Sequence, residues 1–393
     1  MAMSERPLRV AIVGGGIGGT AAATAMRQHG IEVRLYEQAP ALAEVGAGVA
    51  LQPNGIRMLR LLGLGGEVTK WGARWCDPQF RRADGSYIAA MWPPDLGDKI
   101  EFYGVHRADL LAMFVERLPA DIVVTDHKCV AFEQDEHEAI VTFANGRRES
   151  ADVVIGADGI HSKLQQFVVA PSAPLPSGSM AYRGVVPAAT VAWPPGAMRN
   201  WLGAGKHFLV YPVRAGALIN YVGFVPTDQQ MRESWSAPGD PAALAREFVG
   251  WDPMVEAITT QATTTFRWGL YDREPLPIWT CGRLSLLGDA AHPMLPHVGQ
   301  GANQAIEDAV ALATILGRAD RASAPRALRI YEALRRQRTA RVQTSARING
   351  ARYDAASSDL AARDRQLAAQ SQERAWIWNY DAGMEAAIAA TAL

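Results

Sequence analysis

Val10-Ala11-Ile12-Val13-Gly14-Gly15-Gly16-Ile17-Gly18-Gly19 decides how this chain of 393 residues is read. The apolar run Val10 to Val13 has the length and β-branching of a short buried strand, and it runs straight into a glycine turn and a helix. Gly14, Gly16 and Gly19 fit G-x-G-x-x-G. The first glycine permits the tight turn, the second lets backbone approach a pyrophosphate, and the third lets helix pack on strand. The alanine-rich stretch Thr20 to His29 is the expected helix, its N–H groups and positive dipole end aimed at phosphates. A second strand, Glu32 to Tyr36, ends in Glu37, which lies 23 residues past Gly14. A carboxylate there can accept the hydroxyls of an adenosine ribose. Strand, glycines, helix, strand and acid occur in this order, which separates the stretch from an ordinary glycine loop.

Length and composition bound what surrounds this unit. A chain of 393 residues exceeds one simple core and implies two domains. Hydrophobic residues make up 49% and charged residues 20%, as in ordinary globular proteins. A net charge of −1 favours neither nucleic acid nor an anionic membrane surface. No apolar run is long enough to span a bilayer, and Met1 to Pro7 holds no signal-type stretch. Cys76, Cys129 and Cys281 are odd in number and widely spaced, which points to a reducing compartment, a cytoplasmic location and three small buried apolar side chains. The eight histidines form no H-x-x-x-H pair with nearby ligands, so no metal site is expected.

Further along, Glu44 to Leu51 is small and apolar, with Gly46 and Gly48 bracketing Ala47, a stretch that lets backbone approach a flat ligand. Asn54 is placed to cap a helix through Ile56, Leu59 and Leu62 that Gly63 and Gly65 would stop. Arg107 opens another helix, where a solvated charge is the plain reading. The strand Asp152 to Ile155 meets Gly156-Ala157-Asp158-Gly159, and the strand Arg283 to Leu287 meets Gly288-Asp289-Ala290-Ala291-His292-Pro293. Between them, Tyr182 to Phe266 reads as mostly strand with one helix, Ala242 to Val249. A helix then begins at Gly301 and Ala302, and its first N–H groups are left for an anion or an electron-rich ring.

Three small-residue turns at strand ends, taken together, resemble the single-component flavoprotein aromatic hydroxylases, the p-hydroxybenzoate hydroxylase-like family. The resemblance covers nearly the whole chain, and the block from Leu287 through Glu307 and Asp308 is its most specific part. It implies an α/β fold with a Rossmann-like FAD-binding domain from residues 1–72, 103–177 and 274–340. A β-rich substrate domain, residues 73–102 and 178–273, would be inserted, and residues 341–393 would form a C-terminal helical tail. It implies tightly bound FAD, held by Gly14, Gly16, Gly19, Glu37, Gly48, Val130, Gly301 and Ala302, with Asp289 on the ribityl–pyrophosphate region. It also gives Asp158 contacts to both cofactors and puts Arg107 on the FAD. NADH or NADPH would serve as a transient co-substrate, since no second G-x-G-x-x-G unit is present. A homodimer is expected.

The implied reaction is hydroxylation of a small hydroxybenzoate- or salicylate-like acid by O2 through a flavin C4a-hydroperoxide. The alternatives are a 6-hydroxynicotinate-type 3-monooxygenase and a flavin oxidase or dehydrogenase without oxygen insertion. Lys206 to Pro212 resembles the family's substrate-sheet strand, and His207 and Tyr211, four apart on a strand, share a face. His207 is the expected base for a phenol, with Tyr211 beside it, and Arg183 is the candidate for a carboxylate. Two departures stand out: Ala50 replaces the histidine of the 6-hydroxynicotinate enzyme, and Pro296 replaces a glutamine of the 3-hydroxybenzoate enzyme. Both remove a polar substrate contact. Trp376-Ile377-Trp378 lacks the Ile-Pro of the related halogenases and reads as C-terminal packing or an interface.

Overall fold

The computed structural model describes residues 6–42, 47–92, 99–227, 237–356, 359–369 and 374–393; Glu44, Val45 and Gly46 lie outside them. The strand Arg9–Val13 runs parallel between Glu32–Tyr36 and Val153–Gly156. Their neighbours complete a six-stranded sheet, with Leu284–Leu286 beside Val153–Gly156 and Val123–Val124 beside Glu32–Tyr36, both parallel. A short antiparallel strand, Thr280–Cys281, closes one edge. The central strand is buried on both faces, as parallel strands under helices must be. The first helix spans Ile17–Gln28, three residues earlier than expected. Gly18 and Gly19 join it because close packing needs them there: a Cβ on Gly19 would lie 1.9 Å from the Gly14 carbonyl oxygen.

An eight-stranded sheet forms the second layer. Its order is Pro238–Gly239, Thr265–Asp272, Leu175–Pro187, Leu218–Pro226, His207–Val213, Ala197–Leu202, Asp77–Arg82 and Tyr87–Ala90. Period-two alternation sorts its side chains. Phe208, Val210, Tyr221 and Tyr182 pack under two helices, Pro241–Glu247 and Pro253–Gln261, through Leu244, Phe248, Val255 and Ile258. Where one helix was expected there are two, each opened by an aspartate whose carboxylate accepts from a backbone N–H: Asp240 from Ala242 and Asp252 from Met254. The odd-numbered residues of His207–Val213 face the first layer instead.

A small antiparallel sheet, Gly48–Leu51, Tyr103–His106 and Ala73–Arg74, ties the layers together. Ala73 and Arg74 therefore pair outside the large sheet. The long helix Ala324–Tyr353 runs unbroken through the boundary drawn at residue 340, because Thr339, Val342, Gln343 and Ala346 continue one buried stripe. Of the cysteines only Cys129 is buried, its thiol pushed up to about 12 by burial, whereas Cys76 and Cys281 are exposed. Among the described residues no helix is long and apolar enough to cross a membrane, and no group of three or more His, Cys, Asp or Glu could hold a metal ion.

Candidate functional site

Because Arg9–Val13, Val153–Gly156 and Leu284–Leu286 are adjacent and parallel, the turns that follow them meet at one edge of the sheet. Ligands of open α/β sheets bind outside that edge. A cleft lies there, with about 1340 Å³ of empty space including its open mouth. Gly16 and Gly18 line it from the first turn, Ala157 and Gly159 from the second, and Gly288 and Asp289 from the third. Gly48, Ala50 and Arg107 come from the small sheet and the helix behind it, and Gly301 and Ala302 from the start of helix Gly301–Leu316.

The donors in this cleft suit a dinucleotide. Helices Ile17–Gln28 and Gly301–Leu316 both begin without a side-chain cap and without an acidic residue in the first turn. Their N-terminal N–H groups and positive dipole ends stay available to an anion or a carbonyl. A Cβ at Gly16 would meet nothing within 4 Å, so space opens directly beside the first helix. Glu37 sits at the end of its strand with one carboxylate oxygen accepting from Gly15 N at 2.7 Å and the other from Ala39 N at 2.8 Å.

Several expected residues stand elsewhere. Gly14 and Gly19 shape the turn rather than the cleft wall: Gly14 has φ +112°, and a Cβ there would meet Ala157 O at 2.2 Å. The Asp158 carboxylate accepts from Ser162 Oγ at 2.6 Å and Lys163 N at 2.7 Å, so it holds its own loop while Ala157 and Gly159 face the cleft. The Val130 side chain is exposed on the strand Cys129–Gln134, away from the cleft lining, because its neighbours Cys129 and Phe132 take the inward positions.

The large sheet supplies the far wall: Arg183, Leu209, Tyr211, Val222, Phe224 and Trp268, with Pro296 at the rim. Arg183 is 3% exposed, and its guanidinium lies 4.9 Å from the centre of the Trp268 ring. Burial raises the Tyr211 phenol above its ordinary range despite nearby Arg183, so it stays a neutral O–H donor. Asn220, which sequence reasoning missed, pairs with Tyr211 across the sheet, and its Oδ1 accepts from Gly48 N at 2.7 Å. Its Nδ2 is buried with no partner among the described residues. A lone polar residue inside the apolar run Ala217 to Phe224 was the available signal.

His207 needs correcting as a base in contact with substrate. It shares the face of Tyr211, as alternation requires, but it does not line the cleft. Its ring stacks on Phe224 at 4.0 Å, one layer behind the wall, and its Nδ1 pairs with Asp354 Oδ1 at 2.7 Å. Period two determines a face, not the depth along the strand. His297 lies 5.4 Å away by ring centres, and burial, with His207 adding to it, lowers its pKa to about 3. The unfolded imidazole, near pH 6.5, takes a proton first on acidification, so stability is lost as pH falls below that value. Between pH 7 and 5 His297 should account for about 2 kcal/mol of that loss. A His297→Gln protein should show a shallower decline in urea melts over this range, and an equal slope would refute the assignment.

Beneath the turns lies a buried polar network. Asn54 is not a helix cap; Gln52 begins that helix, and Asn54 Nδ2 donates to Gln300 Oε1 at 2.9 Å and Glu307 Oε1 at 2.6 Å. Asp308 accepts from Gly288 N at 3.1 Å, pairs with His292 Nε2 at 2.5 Å and accepts from Arg335 Nε at 2.7 Å. Burial alone would raise the Asp308 carboxyl, but His292 and Arg335 hold it down at about 2. The network braces the Gly288–Ala290 turn that carries Asp289.

This fold and cleft define a flavoprotein. The profile of the family described as FAD binding domain matches residues 7–346, and the chain belongs to that family. It is an FAD-dependent monooxygenase. It is 37% identical over 391 residues to 3-amino-4-hydroxybenzoate 2-monooxygenase PtmB3 of Streptomyces platensis, covering 96% of this chain and 97% of that one. It is 36% identical to a salicylate hydroxylase of Pseudomonas putida, covering 95% and 93%. A solved salicylate hydroxylase substrate complex superposes with a TM-score of 0.84 at 30% identity, covering 98% of each chain. Gly19→Ala should therefore yield protein without bound flavin, seen as loss of absorbance near the flavin bands, since helix and strand would have to part. A yellow Gly19→Ala protein would contradict this.

Proposed function

We propose that this monooxygenase hydroxylates a small monocyclic aromatic acid bearing a ring hydroxyl, with NADH or NADPH as the transient reductant. The observation that carries the reading is Arg183: a buried cation on an otherwise apolar wall, beside a neutral Tyr211. A guanidinium lining a ligand cleft can form a bidentate, charge-assisted pair with a substrate carboxylate. We assign the substrate carboxylate to Arg183, and a ring oxygen to the Tyr211 O–H. Leu209, Val222 and Phe224 hold the ring and exclude water, and Ala50 and Pro296 add no polar contact. The relatives above, named for aminohydroxybenzoate and salicylate, support an aromatic acid of this kind.

Bound in the cleft, FAD supplies the redox chemistry, taking reducing equivalents from the nicotinamide and delivering them to O2. Glu37 would hold the adenosine ribose, Arg107 and Asp289 the ribityl–pyrophosphate region, and the start of helix Gly301–Leu316 the electron-rich edge of the ring. His207, paired with Asp354, stands as a residue that positions Phe224 and the wall. The inserted substrate domain, a homodimer and a cytoplasmic location belong to the same reading.

A screen of hydroxybenzoates, aminohydroxybenzoates and hydroxypyridine carboxylates for accelerated NAD(P)H oxidation, with product analysis, tests the function. One or more acids should give a hydroxylated product. If every acid yields only peroxide, the protein is an oxidase and the proposal fails. Asp289→Ala should weaken FAD binding at least tenfold in a fluorescence titration; unchanged affinity would remove that residue from the site.

A further inference from the structure

Trp376-Ile377-Trp378 has no role in the reaction so far, yet the fold ties it to the cofactor cleft. Trp378 is buried, edge-on to Phe102 with ring centres 5.4 Å apart. Its Nε1 donates to Gln52 Oε1 at 3.0 Å. The same oxygen accepts from Gln300 Nε2 at 2.7 Å, and Gln52 Nε2 donates to the carbonyls of Val298 at 2.7 Å and Gly299 at 3.1 Å. Gln52 is the junction between the tryptophan and the loop Val298 to Gln300. Gly299 and Gln300 line the cleft and lead directly into helix Gly301–Leu316. Gly299 adopts φ +63°, a conformation open to glycine, and a Cβ there would strike Gln52 Nε2 at 2.9 Å.

The segment is itself held firmly. Arg338 donates to the carbonyls of Trp376 at 3.2 Å and Ile377 at 2.9 Å while bonding Glu307 of the buried network. Arg57 donates to the carbonyls of Trp378 at 3.3 Å and Tyr380 at 2.7 Å. Trp376 lies 3.8 Å from the Arg341 guanidinium and packs on the cluster containing Leu295 and Val298. Trp378 thus bears on the loop from Leu295 to Gln300 through Gln52.

We infer that Trp378, acting through Gln52, is a positioning residue for FAD: it sets the loop that forms one wall of the cofactor cleft. It is not itself among the residues lining that cleft. Gln52 retains its bond to Gln300 when the indole N–H is removed, so the effect is that of one neutral buried hydrogen bond, about three- to tenfold.

The test is Trp378→Phe, which keeps an aromatic ring and deletes the donor. Holoenzyme is diluted and released FAD is followed by its fluorescence, with circular dichroism and melting temperature read in parallel. FAD should dissociate with a Kd about three- to tenfold higher, and the FAD that stays bound should show a shifted absorption spectrum. Gln52→Leu should weaken FAD at least as much, and adding Trp378→Phe to it should cause little further loss, because both act through one atom. Unchanged FAD affinity with a lowered melting temperature would make Trp378 mere packing and overturn the inference. So would an equal loss from Trp378→Phe in both backgrounds. Should Trp378→Phe not fold, the Gln52→Leu titration decides: wild-type FAD affinity there overturns the inference.

Discussion

Replacing Arg335 by methionine should destabilise the protein by about 3–5 kcal/mol, the usual result of breaking a buried ion pair from one side. The guanidinium is fully buried, and it donates to Glu307 Oε2 at 2.6 Å, Asp308 Oδ1 at 2.7 Å and Gln304 Oε1 at 2.8 Å. Glu307 and Asp308 are consecutive and equally buried, so its removal leaves two carboxylates out of water without their shared cation. Arg338 and Asn54 remain for Glu307, and His292 for Asp308, which is why the loss is bounded. Lysine should not rescue, since one ammonium cannot span both acids as the planar fork does. Asp308 also adds acid sensitivity. Its folded pKa, near 2, lies below the ordinary value of about 3.9, so its contribution is present above pH 4 and is lost as pH falls through 2. Chemical denaturation of the holoprotein measures the loss, and a change below 1 kcal/mol would show that the network contributes little.

Arg183→Leu should lower kcat/KM for the aromatic acid about 100- to 1000-fold, mainly through KM. A carboxylate that loses its buried cation forfeits a charge-assisted hydrogen bond and keeps the cost of leaving water, together about 2–5 kcal/mol. Arg183→Lys should recover only part of this, because the guanidinium also lies against Trp268. The methyl ester of the same acid separates the causes. With the ester, wild type and Arg183→Leu should differ by less than tenfold. An undiminished gap would mean that Arg183 supports the wall and does not bind the carboxylate.

The glycine turn and the acid that follows it were the most legible. Gly14, Gly16, Gly19 and Glu37 stand at fixed short spacings because one strand, one turn and one helix have a single geometry. Asp158 shows the limit of that reading: a D-G turn is recognisable in sequence, but whether its carboxylate serves a ligand or its own loop depends on where Ser162 and Lys163 return. His207 shows another. Alternation placed it on the right face, and only the stacking of Phe224 from the neighbouring strand put it behind the wall.

The sequence by itself determined a dinucleotide-binding strand, turn and helix and two further small-residue turns at strand ends, because each rests on contacts within about thirty residues. Tertiary structure alone decided what those turns face. Arg183, Asn220 and Tyr211 lie on three neighbouring strands, and only their register sets an amide and a phenol against Gly48 with a cation on the same face of the sheet. Gln52 meets Trp378 across 326 positions of chain, and Asn54 meets Glu307 across 253. Contacts so distant leave no periodicity in the sequence, since side chains there are selected by the space that folding creates and not by their neighbours along the chain.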